Sequence, residues 1–241
     1  TIEVLPMNET VTPLITDPAE NWAGEMAARW LAHIKTFEGM IAPIGTALMN
    51  RASLTAGQRV LDVGCGGGVT TLAAGCAVGP LGTAPGLDLS PDLIARARQR
   101  AERAGMSNVS FRCADAAGEQ PEGRVFDRVI SRFGSMFFAE PYAAFRNLHG
   151  AIHPGGRFDL AVWAAPRENL WMSAMVAVVR DHIDLPRSEP RAPGPFAFED
   201  PDYLRDVLET SGFRDMTLEA WSADVPFAGP GATCADAVAF A

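Results

Sequence analysis

Asp62, Gly64, Gly66, Gly68 and Asp88 are the residues whose types and spacing bear most directly on chemistry. Three glycines alternate along Gly64-Cys65-Gly66-Gly67-Gly68, directly after the apolar run Val60-Leu61-Asp62-Val63. A glycine-rich turn at the end of a strand lets a ligand approach the backbone, and the helix that follows begins with free N–H groups. Asp88 lies in a second apolar run, Gly86-Leu87-Asp88-Leu89. An acid at the end of that strand can accept hydrogen bonds from both ribose hydroxyls of an adenosine. The dinucleotide fingerprint G-x-G-x-x-G/A, read from Gly64, puts its last position on Val69, a mismatch. No Gly-Lys-Ser/Thr follows, so a phosphate loop is absent. The alternative is that the glycines only make a tight strand-to-helix turn; against it, Asp88 stands where a ribose partner is needed.

These residues need a framework that brings strand ends together. From Arg59 to Trp163 short apolar runs alternate with helical patterns. Strands are predicted at 60–63, 86–89, 108–113, 126–131 and 157–163, and helices at 70–77, 91–104 and 141–152. Ser90-Pro91-Asp92 supplies an N-cap, a first-turn proline and a first-turn acid, and Gly105 ends that helix. This rhythm indicates right-handed βαβ units and a mainly parallel, doubly wound, Rossmann-like α/β sheet. Residues 1–56 read as an N-terminal helical arm, with Trp22, Met26, Trp30 and Ile34 every four residues and a second helix starting near Pro43. Residues 57–241 form the main domain. Its rhythm breaks at 164–200, a Trp- and Met-rich piece followed by four prolines, read as a lid insertion after the fifth strand. A helix at 202–212 and a strand at 216–221 follow.

Composition narrows the partners. The 241 residues carry 20 Lys and Arg against 29 Asp and Glu, a net charge of −9. That balance argues against a protein gripping duplex DNA, a large RNA or an anionic membrane, since such binding needs phosphates neutralised by cations. Four cysteines form no CxxC pair and no zinc-spaced cluster with histidine, so no metal is expected. The chain starts at Thr1, which reads as trimmed, shows no signal-peptide pattern and has no uncharged stretch long enough to span a bilayer. A cytoplasmic location is the expectation.

The runs above resemble those of class I S-adenosylmethionine-dependent methyltransferases. Val60 through Gly68 resembles their first motif, Gly86 through Ser90 the second and Cys113-Ala114-Asp115-Ala116 the third. Phe126 through Ser131 resembles the fourth, and Leu148 through Gly156 the turn before the fifth strand. Ser131 through Phe138 and Pro193 through Phe198 are similar to a bacterial subgroup near the ubiquinone/menaquinone methyltransferases. One departure is Gly67, where that subgroup more often has threonine. The resemblance implies S-adenosyl-L-methionine as cofactor and S-adenosyl-L-homocysteine as product. It implies that Gly64, Cys65 and Gly66 line the methionine moiety and that Asp62 orients the loop. It places Asp88 on the ribose, Leu89 against adenine, Asp115 and the Ala116 N–H at the adenine edge, and Ser131 and Arg132 near the sulfonium.

Methyl transfer from a sulfonium is an in-line displacement in which positioning supplies most of the help. A general base is needed only where the acceptor keeps its proton. His33 in the arm and His182 in the insertion are the candidates, and Arg132 is a candidate for an anionic group. His149 and His153 precede the fifth strand, away from the carboxyl ends. Trp22 is a candidate ligand contact, and Trp171, Met172 and Met175 a candidate pocket wall. Apolar lining suits a small hydrophobic or aromatic acceptor of the methyl group on O, C or N. The competing readings are an NAD(P)-linked oxidoreductase on a similar sheet and a non-catalytic methyltransferase-like binding module. A homodimer stays open.

The resembled fold ends with a sixth strand and a seventh inserted antiparallel beside the fifth. Residues 216–221 are expected to supply the sixth. The stretch 232–241 holds too few β-branched residues for a central strand, so the seventh is expected to be missing from these 241 residues.

Overall fold

The computed structural model describes residues 22–118, 125–180, 182, 189–233 and 235–236. Five strands form one sheet: β1 (Val60–Val63), β2 (Ala84–Asp88), β3 (Val109–Cys113), β4 (Phe126–Arg132) and β5 (Ile152–Ala161). Their order is β3-β2-β1-β4-β5 and every pairing is parallel. The chain moves outward through β2 and β3, then restarts on the other side of β1. The switch point therefore lies between β1 and β4, where a ligand crevice is expected.

Both faces of the sheet are covered, which is why its strands read as continuous apolar runs. The described residues hold seven helices: α1 (Glu25–Ala32), α2 (Ile34–Ala52), α3 (Val69–Val78), α4 (Pro91–Arg103), α5 (Pro141–Ala151), α6 (Leu170–Arg180) and α7 (Pro201–Thr210). On one face Val60, Ala84 and Ile130 pack with Ala52 of α2 and Ala74 and Val78 of α3. On the other Leu61, Val63, Leu87 and Val129 pack with Leu148 and Ala151 of α5. Helix α7 stacks outside α5, burying Tyr203, Leu204, Val207 and Leu208 against Phe145, Met136 and Phe198.

Several expectations are corrected. Pro43 does not open a helix but lies inside α2, a 19-residue helix. The bond its missing N–H forfeits is the one to the Gly39 carbonyl four residues back. The break falls instead at His33, between α1 and α2. Strand β5 begins at Ile152, directly off α5. Its register to β4 jumps from Phe126↔Ile152 to Arg128↔Arg157, so Pro154-Gly155-Gly156 forms a bulge within the strand rather than a turn before it. Residues 216–221 form no strand. Without a seventh strand between it and β5, a sixth has no backbone ladder to join. That segment packs by side chains instead, with Met216 and Leu218 against the α5–α7 cluster and an Arg51–Glu219 ion pair to α2. Among the described residues no seventh strand occurs, and residues 237–241 lie outside them.

Candidate active site

The glycine loop leaves β1 and meets the segment after β4 almost backbone to backbone. A Cβ on Gly64, whose φ is +68°, would lie 2.4 Å from the Gly134 Cα. The two strand ends on either side of the switch point are thus closed against each other, which no side chain permits. Gly66 is the opposite case, with φ +53° and nothing within 4 Å of where a Cβ would point. The loop is tight at its root and open at its crest.

Hydrogen bonds hold the loop in this shape. The N–H groups of Gly64 and Cys65 donate to the Leu87 carbonyl at 2.9 and 3.0 Å, and that of Gly68 to the Cys65 carbonyl at 2.9 Å. The Gly66 N–H donates to Asp88 Oδ2 at 2.7 Å, and the Ser90 N–H to Asp88 Oδ1 at 2.9 Å. Asp88 thus orients the loop while each oxygen keeps lone-pair capacity for a further donor. Burial pushes its carboxyl above the ordinary value, against the pull of the Ser90, Gly66 and Leu89 N–H groups.

Asp62 lies beneath the loop and is 1% exposed. Thr70 and Thr71 of α3 both donate to its Oδ2, at 2.6 and 2.7 Å. Its Oδ1 is buried with no hydrogen-bond partner. Burial raises the Asp62 carboxyl, opposed by the two hydroxyls and by the charge of Arg132. The Arg132 guanidinium, at the end of β4, lies against Gly45 of α2, where an added Cβ would sit 2.6 Å from Nη1. Burial lowers its pKa, while Asp62 and Glu38 pull the other way.

The helical arm is tied to this loop. Arg100 of α4 forms a two-pronged ion pair with Glu38 of α2, at 2.6 and 2.7 Å, and donates to the Gly67 carbonyl at 2.8 Å. A Cβ at Gly67 would lie 2.8 Å from that Arg100 nitrogen and from Glu38, and 2.9 Å from Ile34. The departure from threonine therefore accommodates the close seat of α2 and its ion pair. Sequence reasoning passed over Glu38 and Arg100, since nothing in their neighbourhoods signals a pair 62 residues apart.

The other expected residues fall as follows. Cys65 puts its side chain into the α4 core beside Ile94, Ala97 and Phe111, and burial pushes its thiol well up. Leu89 is half-buried beside Asp88. Asp115 is exposed, with Oδ1 accepting from the Ala117 N–H at 2.8 Å, and Ala116 is buried. The Ser131 hydroxyl donates to the Val63 carbonyl at 2.9 Å and accepts from the Ser135 N–H, bracing β4 to β1. Trp22 meets Phe137 edge-on at 5.0 Å and Trp30 at 6.0 Å. His33 and His182 are both exposed, and the His33 ring stands edge-on to Phe37.

Beyond the loop, over the ends of β4 and β5, side chains from distant segments converge. Phe133 stacks on Trp163 at 4.4 Å and 11°. Trp171 of α6 stands edge-on to Trp163 at 5.9 Å and lies beside Phe227 at 5.9 Å. Met40, Ile41 and Ile44 of α2 pack beneath the pair. Met172 and Met175, expected beside Trp171 in a pocket wall, are half-buried, as Trp171 is. Among the described residues no group of His, Cys, Asp or Glu is placed to hold a metal. No described helix is long and apolar enough to cross a membrane.

A parallel sheet, a glycine loop at its switch point and an acid at the end of β2 define a Rossmann-like adenosyl-binding domain. Residues 54–177 match a family model described as a methyltransferase domain, about half of the chain, so this chain belongs to that family. Its fold is that of the S-adenosylmethionine-dependent methyltransferases, and the matches do not favour an oxidoreductase or a non-catalytic module. One relative is the nocamycin O-methyltransferase of Saccharothrix syringae, 30% identical over 199 residues, covering 76% of this chain and 71% of that one. Another is the aklanonic acid methyltransferase of Streptomyces sp. (strain C5), 32% identical over 115 residues, covering 48% and 52%. The chain thus spans about half the length of some curated relatives it matches. The Haemonchus contortus phosphoethanolamine N-methyltransferase 2, solved in complex with S-adenosyl-L-methionine, superposes with a TM-score of 0.61 at 18% identity, covering 84% of this chain and 45% of that one.

Proposed function

We propose that this chain transfers a methyl group from S-adenosylmethionine to a small hydrophobic or aromatic molecule, on an O, C or N atom. The observation that carries the cofactor reading is the polarity of the loop. The N–H groups of Gly64, Cys65, Gly66 and Gly68 already have partners, while the buried Asp62 Oδ1 has none. A pyrophosphate drawn to the free N–H groups at the start of α3 would face the carboxylates of Asp62 and Asp88. A ligand with an ammonium group and a ribose meets instead the open oxygen of Asp62 and the spare lone pairs of Asp88. When bound, S-adenosylmethionine supplies a methyl group already activated on sulfur.

The residues of this chain then bind, orient and exclude water. Asp88 accepts from the ribose hydroxyls, Leu89 packs on adenine, and the second carboxylate oxygen of Asp115 faces the adenine amino group, with Ala116 beside it. Gly64, Cys65 and Gly66 line the methionine moiety, Trp22 closes over the ligand beside Phe137, and Ser131 fixes the loop. Arg132 suits a carboxylate, of the ligand or of an anionic acceptor, better than the sulfonium itself. Where the acceptor must lose a proton, His33 is placed better than His182, because it touches Phe37 and hence the aromatic cluster. Helices α1 and α2, with the 164–200 segment, act as the lid.

The aromatic convergence over β4 and β5 supports a hydrophobic or aromatic acceptor, as do the two relatives whose names specify small molecules. The net charge of −9 supports a protein without a nucleic-acid partner. A cytoplasmic setting, and a homodimer, complete the reading. Cell extract incubated with the protein and methyl-labelled cofactor tests it by mass spectrometry. Label in a small molecule is expected. Label confined to RNA or protein would contradict the acceptor reading.

A further inference from the structure

Trp171 holds the one buried indole N–H without a hydrogen-bond partner among the described residues. Indole nitrogen is a donor only, and a buried tryptophan N–H usually finds an acceptor. This donor sits in the aromatic cluster, with Trp163 on one side and Phe227 on the other. The cluster itself is held by a residue in an unfavourable backbone conformation. Phe133 has φ +67°, rare for a bulky side chain, and its N–H donates to the Ala161 carbonyl at 3.0 Å. Conformations of this kind persist where the surroundings over-determine them, and they concentrate at ligand sites. Phe133 also immediately precedes Gly134, which touches Gly64 at the root of the glycine loop. The flat face of the Phe133–Trp163 pair therefore adjoins the place where the cofactor reading puts the reacting end of the ligand.

We propose that Phe133, Trp163, Trp171 and Phe227 hold a planar aromatic acceptor bearing a carbonyl or carboxyl oxygen, and that Trp171 Nε1–H donates a hydrogen bond to that oxygen. Stacked and edge-on aromatic contacts orient a flat ring. The single donor chooses among flat rings, because a ring without the oxygen leaves that N–H unpaired in the complex. This assignment rests on the methyltransferase reading and specifies its acceptor.

The test uses protein saturated with S-adenosylhomocysteine and two soluble bicyclic probes of similar size. One is 7-hydroxycoumarin, which has a ring carbonyl, and the other is 2-naphthol, which has the hydroxyl but no carbonyl. Wild-type protein is expected to bind the coumarin more tightly. Trp171→Phe keeps an aromatic ring and removes the donor. It is expected to weaken coumarin binding about ten-fold and 2-naphthol binding distinctly less, because both probes lose the same ring contact and a phenolic oxygen is the weaker acceptor. The same variant without ligand is expected to melt no lower than wild type, because a buried donor without a partner has been removed. Equal loss for both probes, no loss for the coumarin, or binding of neither probe to protein that holds S-adenosylhomocysteine would overturn the proposal. Failure to hold S-adenosylhomocysteine at the outset would overturn the cofactor reading itself, and the proposal with it.

Discussion

The two halves of the site are built from different materials. The loop side, at the ends of β1 and β2, is made of backbone: glycines, committed N–H groups, the Asp88 carboxylate that accepts from Gly66, and Asp62 held beneath by Thr70 and Thr71. The aromatic side, over the ends of β4 and β5, is made of side chains from α2, the residues just after β4 and β5, α6 and the segment around Phe227. A backbone-built site tolerates almost no substitution but recognises one ligand. A side-chain-built site can be refitted residue by residue, as relatives acting on different small molecules require. The half-buried Glu38–Arg100 pair is the joint between them, since α2 carries part of the aromatic wall and Arg100 grips the glycine loop.

The comparison breaks most completely at the root of the loop. Gly64→Ala is expected to destabilise the fold by about 3 kcal/mol or more, combining a left-handed backbone with a clash against Gly134. Urea unfolding measures it, and a shift under about 1 kcal/mol would show that the two strand ends can part. Asp88→Ala comes next. It removes charge-assisted bonds worth about 1.5–3 kcal/mol, so affinity for S-adenosylhomocysteine is expected to drop ten-fold or more in a folded protein. An unchanged dissociation constant would remove Asp88 from the site.

The acidity of Asp88 sharpens this assignment. Burial raises its pKa in the free protein above the ordinary carboxylate value of 3.8. The ribose hydroxyls favour the charged form, so binding opposes protonation. Affinity should hold near neutrality and fall as the pH drops through the raised value, above 3.8. Asp88→Ala should remove its share of that fall and leave the share due to Asp62, whose carboxyl burial also raises, and a wild-type affinity constant down to 3.8 would contradict the assignment.

Glu38→Ala tests the joint. Losing a largely buried, two-pronged pair is expected to cost about 2 kcal/mol of stability and to weaken binding on the loop side as well. The charge-swapped pair Glu38→Arg with Arg100→Glu should recover part of the stability. The smallest effect is expected at Arg51→Ala. Its partner Glu219 is well exposed, so thermal unfolding should register no more than about 0.5 kcal/mol.

The loop side was legible in the sequence because backbone sites leave local signatures. Gly64, Gly66, Gly68 and Asp88 owe their identity to φ angles and strand ends set by their immediate neighbours. The N-cap Ser90, whose hydroxyl accepts from the Leu93 N–H at 3.2 Å, was legible for the same reason. The aromatic side was half-legible. Trp171 stood out by composition, but Phe133, Trp163 and Phe227 meet it only through the topology. Two misreadings have a common cause. Pro43 inside α2 and the missing strand at 216–221 were judged by local preference, whereas tertiary packing carries the helix past its proline and a strand exists only with a ladder partner.

On this account the loop side takes an adenosyl ligand with a cationic tail rather than a dinucleotide. Calorimetric titration of the protein with S-adenosylhomocysteine and, separately, with NADH tests it most directly. Saturable binding of S-adenosylhomocysteine that weakens ten-fold or more in Asp88→Ala, with no binding of NADH, is the predicted result. Saturable binding of NADH without binding of S-adenosylhomocysteine would contradict it.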